Sequence, residues 1–205
     1  IEEGGRLQLR GPNIMKGYFK NEAATRECFT EDGWFRTGDI GHLDEKMRLF
    51  ITDRKKELIV TAGGKNIAPQ HIESVLAENN YVNQSVVIGD ALPYLSVLIH
   101  PNWENVRAYA ERKGVAATAV DDLIVHPQIL HLFDNVLKRA NVKLSRFEQL
   151  KAYKLLPREM SVEGGELTPT LKIKRRVVLS KYKNLIDSMY EGGRSGLGRE
   201  KRTAK

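Results

Sequence analysis

The sequence predicts an α+β protein in two unequal parts: a small antiparallel β subdomain, then a mixed α/β domain. Three observations predict it. Residues 1–55 hold short alternating stretches separated by glycine-bearing turns. After residue 56, apolar residues recur at helical spacing between short apolar runs. The 205 residues are 41% hydrophobic, enough for a sizeable core. The chain shows no internal repeat.

In the first part, Leu7 and Leu9 alternate with Arg6, Gln8 and Arg10, as in a half-buried strand. "GPNIMKGYFKN" reads as a turn-rich loop, and residues 22–29 as a short helix carrying Ala23, Ala24 and Phe29. Asp32-Gly33 marks a turn, followed by a strand near Trp34, a turn near Asp44 and a strand at 47–52.

The second part opens with a short strand, Leu58 to Val60. Pro69 suits the first turn of a helix in which Ile72, Val75 and Leu76 share a face. Val86–Ile88 and Ser96–Ile99 read as strands joined by a turn at Pro93. A helix is predicted over 102–113. Pro127 opens another, with Leu130, Phe133, Val136, Leu137, Ala140 and Leu144 on one side. A strand is expected at 151–156, and Val178, Tyr182, Leu185, Ile186 and Met189 predict a last helix. Helices packed on a small sheet account for this mixture.

The single cysteine, Cys28, excludes an internal disulfide framework and suits a reducing compartment. No apolar run approaches the roughly 18 residues of a membrane span, and the opening residues are not expected to be a signal peptide. "IEEGGRLQLRGP" starts without Met and in mid-pattern, as if cut from a longer protein. The net charge of +7 admits an anionic partner. Much of the excess lies in "KIKRR", residues 172–176, and in the glycine-rich segment 191–205, which is predicted to be a disordered basic tail. "KIKRR" lacks interleaved aromatics, which argues against nucleic acid. His100, His126 and His131 have no partners at metal-ligand spacing, so no metal site is expected.

Three stretches carry chemistry. In "RTGDIG", a turn at Thr37-Gly38-Asp39 can hold a carboxylate at a strand end, where it accepts hydrogen bonds from neighbouring hydroxyls such as those of a ribose. Alone, the tripeptide reads as an ordinary Asp turn. Arg54 stands fifteen residues later, and a hairpin would bring the two to one edge. Its guanidinium offers a rigid donor fork. Gly63-Gly64 lets backbone approach a ligand closely. In "GGELTPTLKIKRR", Gly164-Gly165 predicts a mobile loop. Pro169 disfavours helix, so Thr168, Thr170 and Lys172 are expected on an extended piece.

Taken together, "GWFRTGDIGHLDEKMRLFITDRKKELIVTAGGKNIAPQHIES" and "GGELTPTLKIKRRVVLSKY" resemble the adenylate-forming (AMP-binding) superfamily. The likeness is to the C-terminal portion of its long-chain fatty acyl-CoA synthetase branch and covers residues 1–190. The resemblance implies that residues 1–55 end a large N-terminal domain with a β subdomain. Residues 56–190 would be a mobile C-terminal lid domain. By the same resemblance, Asp39 and Arg54 contact the ribose of ATP or AMP, and Lys56 is the hinge. Gly63, Gly64 and Lys65 would line the path of CoA, and Lys172 would steady carboxylate and phosphate oxygens. Many superfamily members carry Gly-Lys where this chain has Leu171-Lys172.

The implied function is the C-terminal part of a long-chain fatty acid–CoA ligase, which uses ATP and Mg²⁺ to form acyl-AMP and passes the acyl group to CoA. The phosphate loop, the acyl pocket and the magnesium-binding glutamate would lie upstream, in a missing N-terminal domain, so the chain alone is expected to be inactive. Fatty acid, ATP and CoA are the implied partners. The implied location is cytoplasmic, with peripheral membrane association allowed. Two alternatives stand beside it: an acyl-AMP ligase that loads a carrier protein, and a basic module that grips nucleic acid or lipid.

Overall fold

A computed structural model describes residues 1–2, 4–54 and 58–191. Lys56 and the basic tail beyond Glu191 lie outside the described residues. The chain divides into two compact units, Ile1–Leu58 and Ile59–Lys205.

The first unit is one antiparallel sheet in the order β1 (Arg6–Leu9), β2 (Phe35–Leu43), β3 (Leu49–Arg54), with helix α1 (Glu22–Cys28) between β1 and β2. Asn21 starts α1: its Oδ1 accepts the N–H of Ala24 at 3.0 Å. Asp44 closes the β2–β3 turn by accepting the N–H groups of Lys46 and Arg48. The ladder shifts register between Ile40 and Gly41. Gly41 is needed there, because a Cβ would lie 2.4 Å from the Phe50 carbonyl oxygen. Leu7 is buried, whereas Leu43, Leu49, Phe50 and Ile51 are exposed.

The second unit has three layers. Its centre is the sheet β6 (Val82–Ile88), β7 (Leu95–Pro101), β8 (Leu150–Leu155), in which β6 runs antiparallel and β8 parallel to β7. Every residue of β7 is buried, as expected of a strand covered on both faces. Val87, Val97, Ile99 and Leu150 face one apolar cluster, with α2 (Pro69–Ala77), α3 (Trp103–Arg112) and α5 (Pro127–Lys143). Val86, Ile88, Leu98 and Ala152 face the other, with α6 (Arg175–Lys181) and α7 (Lys183–Tyr190). The parallel β7–β8 pair is joined by a crossover through α3, the short α4 (Val120–Leu123) and α5. A two-residue ladder, β4 (Ile59–Val60) with β5 (Asn66–Ile67), precedes α2.

Two details differ from expectation. The last helix is broken at Tyr182, where φ −103° and ψ 20° leave the helical region; its hydroxyl reaches the Glu166 carboxylate at 3.3 Å. The predicted strand at Leu58–Val60 is half of a hairpin whose partner, β5, is too short to show a period in sequence.

Candidate functional site

In the first unit, the β2–β3 register sets Asp39 directly opposite Arg54. The turn before Asp39 is tied down locally. Gly38 has φ +79°, Thr37 Oγ1 accepts the Asp39 N–H at 3.0 Å, and the same hydroxyl donates to the Leu7 carbonyl at 3.1 Å. Asp39 is half-buried. It lines an open groove with Glu2, Arg6, Gln8 and Arg36, so two carboxylates and two guanidinium groups share it. That charge set suits a ligand bearing both hydroxyls and phosphate.

In the second unit, the remaining candidates sit on two loops of the same construction. The first runs Thr61-Ala62-Gly63-Gly64-Lys65. The Gly64 N–H donates to the Thr61 carbonyl (2.8 Å) and the Thr61 N–H to the Lys65 carbonyl (3.0 Å). Thr61 Oγ1 accepts the Lys65 N–H at 3.3 Å. The second runs Thr168-Pro169-Thr170-Leu171-Lys172. The Leu171 N–H donates to the Thr168 carbonyl and the Thr168 N–H to the Lys172 carbonyl, both at 2.8 Å. Thr168 Oγ1 accepts the Lys172 N–H at 3.0 Å.

Each loop is therefore a β-turn capped by its first threonine, with a left-handed fourth residue and an exposed lysine in fifth place. The fourth residue is Gly64 in one (φ +73°) and Leu171 in the other (φ +60°). Glycine adopts that conformation freely, and leucine does so at a cost. The expected extended piece is thus a turn. Pro169 takes its second position, where a fixed φ near −65° fits.

The Lys172 loop is anchored at its base. Leu167 bridges Ile173, and both pack into the α6–α7 cluster. The stretch before it, expected to be mobile, is pinned. Glu166 is buried and accepts from Lys181 at 2.5 Å, while the Gly164 carbonyl also receives Lys181 Nζ at 3.3 Å. A Cβ on Gly164 would lie 2.1 Å from Glu166 Oε2. Burial pushes the Glu166 carboxyl up, but hydrogen bonds from Lys181 and the backbone outweigh it and hold it below its ordinary value. The hydrogen bond to Glu166 raises Lys181 in turn.

Sequence reading misses the threonine caps, although Thr four residues ahead of Lys recurs in both loops. It also misses Phe147, whose exposed ring lies 5.0 Å from Lys65 Nζ. Nothing in the local pattern marks that contact. Among the described residues, no group of three or more His, Cys, Asp or Glu could hold a metal ion, and no helix is long and apolar enough to cross a membrane.

Comparison with known proteins identifies the family. Residues 56–194 match the family model of the AMP-binding enzyme C-terminal domain. The chain is 42% identical to the long-chain-fatty-acid–CoA ligase FadD15 of Mycobacterium tuberculosis, over 93% of this chain and 32% of that protein. It is 36% identical to human long-chain-fatty-acid–CoA ligase ACSBG1, over 91% of this chain and 28% of that one. The chain thus spans about a third of the length of these relatives. The solved adenylation domain of a Mycobacterium chelonae carboxylate reductase shares the fold, with a TM-score of 0.77 at 23% identity over 91% of this chain and 27% of that one. The chain belongs to the AMP-binding enzyme family and carries that family's C-terminal domain.

Proposed function

We propose that this chain is the C-terminal part of a long-chain fatty acid–CoA ligase that forms an acyl-adenylate from fatty acid and ATP and then a thioester with CoA. The observation that carries the proposal is the Lys172 loop: an exposed ammonium on the residue that closes a threonine-capped turn, next to a base fixed in a core.

Attack of a carboxylate on the α-phosphate of ATP crowds negative charge at one centre. A preorganised lysine stabilises that charge as it develops. Lys172 takes this role. Asp39 accepts the ribose hydroxyls and Arg54 adds donors from the facing strand. The Gly63-Gly64-Lys65 loop takes part in the second half-reaction, since its glycines leave room for a thin pantetheine arm. Residues 1–55 close the large domain, residues 56–190 form the lid, and rotation at Lys56 exchanges Lys172 for the glycine loop. Mg²⁺ accompanies ATP in this proposal, but the described residues offer it no ligand set, so no step is assigned to it. The parent enzyme works in the cytoplasm, and the net charge of +7 on this part allows contact with acidic membranes.

The relatives named as fatty-acid–CoA ligases support CoA as acceptor over a carrier protein. The test is acyl-adenylate consumption by the full-length protein. CoA should consume it, and a carrier protein's phosphopantetheine should not. The reverse result selects the acyl-AMP ligase.

A further inference from the structure

The basic run Lys172–Arg176 is not one surface patch. Lys172, Lys174 and Arg176 are exposed, whereas Arg175 turns inward. Its side chain is 21% exposed and that of its partner Glu73 is 15%. One guanidinium nitrogen donates to the Val87 carbonyl at 2.6 Å and another to Glu73 Oε1 at 2.8 Å. The same Glu73 oxygen accepts the Val87 N–H at 2.8 Å. Both backbone groups of Val87 therefore point away from β7, and the ion pair satisfies both. Arg175 is the first residue of α6. It thus fastens the strand leaving the Lys172 loop to β6 and to α2. The strand entering the loop is fastened by Glu166 through Lys181, and the Lys174 N–H donates to the Glu166 carbonyl at 2.7 Å.

We propose that Arg175, held by Glu73, is a positioning residue for Lys172 in the adenylation half-reaction. The proposal rests on the role given to Lys172 above. An ion pair largely withdrawn from water contributes little net stability compared with apolar packing, but two directed bonds from a planar guanidinium fix orientation. Lys172 stands three residues away, and a preorganised charge loses its effect when displaced by about 1 Å. Arg175 does not meet the nucleotide. It sets where the loop carrying Lys172 stands.

The test uses full-length enzyme. Arg175→Met keeps the apolar stem and removes both directed bonds. Its rate of pyrophosphate exchange should fall about tenfold with KM for ATP within about twofold, the pattern of a misplaced group rather than lost binding. Thioester formation from supplied acyl-adenylate should persist, and Arg175→Lys should recover part of the exchange rate. In a Lys172→Ala background, Arg175→Met should cost nothing further. An unchanged exchange rate, or an equal loss in both backgrounds, overturns the positioning role. If Arg175→Met does not fold, Glu73→Gln keeps an oxygen for the Val87 N–H and weakens the pull on Arg175. It should lower exchange a few-fold only when Lys172 is present, and an equal loss without Lys172 overturns the proposal. Full exchange in Lys172→Ala itself overturns the role of Lys172, and the two failures are thereby told apart.

Discussion

Asp39 and Arg54 stand directly opposite each other across the β2–β3 ladder, although fifteen residues separate them in sequence. A bulge between Ile40 and Gly41 lies beside this pair. Bulges re-aim side chains and recur next to ligand sites.

If this carboxylate reads a ribose, Asp39→Ala should weaken ATP binding by roughly 1.5–3 kcal/mol, the range for hydrogen bonds to a charged group. Calorimetry with ATP and with its 2′- and 3′-deoxy analogues measures it in the full-length enzyme. The deoxy penalty should largely disappear in the variant. If the penalty persists undiminished, Asp39 does not contact the ribose.

Lys172 and Lys174 are both exposed, but only Lys172 occupies the fifth position of the threonine-capped loop. Lys172→Ala should slow adenylate formation about a hundredfold, as loss of one preorganised electrostatic group does. Conversion of supplied acyl-adenylate to thioester should change far less. Lys174→Ala should affect neither step strongly. A split seen with Lys174→Ala instead would move the role to that residue.

The twin loops make opposite stability predictions. Leu171 holds φ +60° and is 71% exposed, so little packing offsets the strain. Leu171→Gly removes a cost of about 1–2 kcal/mol, offset by the larger freedom of glycine in the unfolded chain. The net should be a gain of up to about 1 kcal/mol. Gly64→Leu imposes the same strain and should cost about 1 kcal/mol. Thermal melts of the two variants check the pair. A loss in Leu171→Gly would mean that the leucine packs on something worth more than the strain of the turn.

The buried Glu166 gives stability a pH dependence. Its folded pKa is lowered, so its contribution is fully present above the ordinary value of 4.5 and is lost as pH falls through the folded value. Glu166→Gln should lower the melting temperature by several degrees at about pH 7, and the gap should close in acid, below the ordinary carboxylate range. A gap that stays constant into strong acid would show that the charge contributes nothing.

Elements governed by local period are legible in the sequence. The face of α5 with Phe133, Val136, Leu137 and Ala140 is buried as the spacing implies, and Pro69 starts its helix. Features that depend on distant partners are hidden. The Arg175–Glu73 bond joins residues 102 apart, so "KIKRR" reads as a uniform charge run. Thr-Pro-Thr reads as extended because proline excludes helix, but proline also fits the second place of a turn, and the threonine hydroxyl selects the turn. Tyr182 lies on an unbroken apolar period and leaves the helix nonetheless, with its hydroxyl on a buried carboxylate.

The side-chain pair at Val87 also bears on solubility. β6 is an outer strand, and a bare outer strand offers its N–H and C=O groups to any passing chain. Arg175 and Glu73 occupy those groups as an added strand would. Releasing the pair would uncover one self-complementary step on the edge of the sheet. Light scattering of Arg175→Met should then rise with protein concentration while the parent remains monodisperse, and equal scattering would show that neighbouring side chains shield the edge without it.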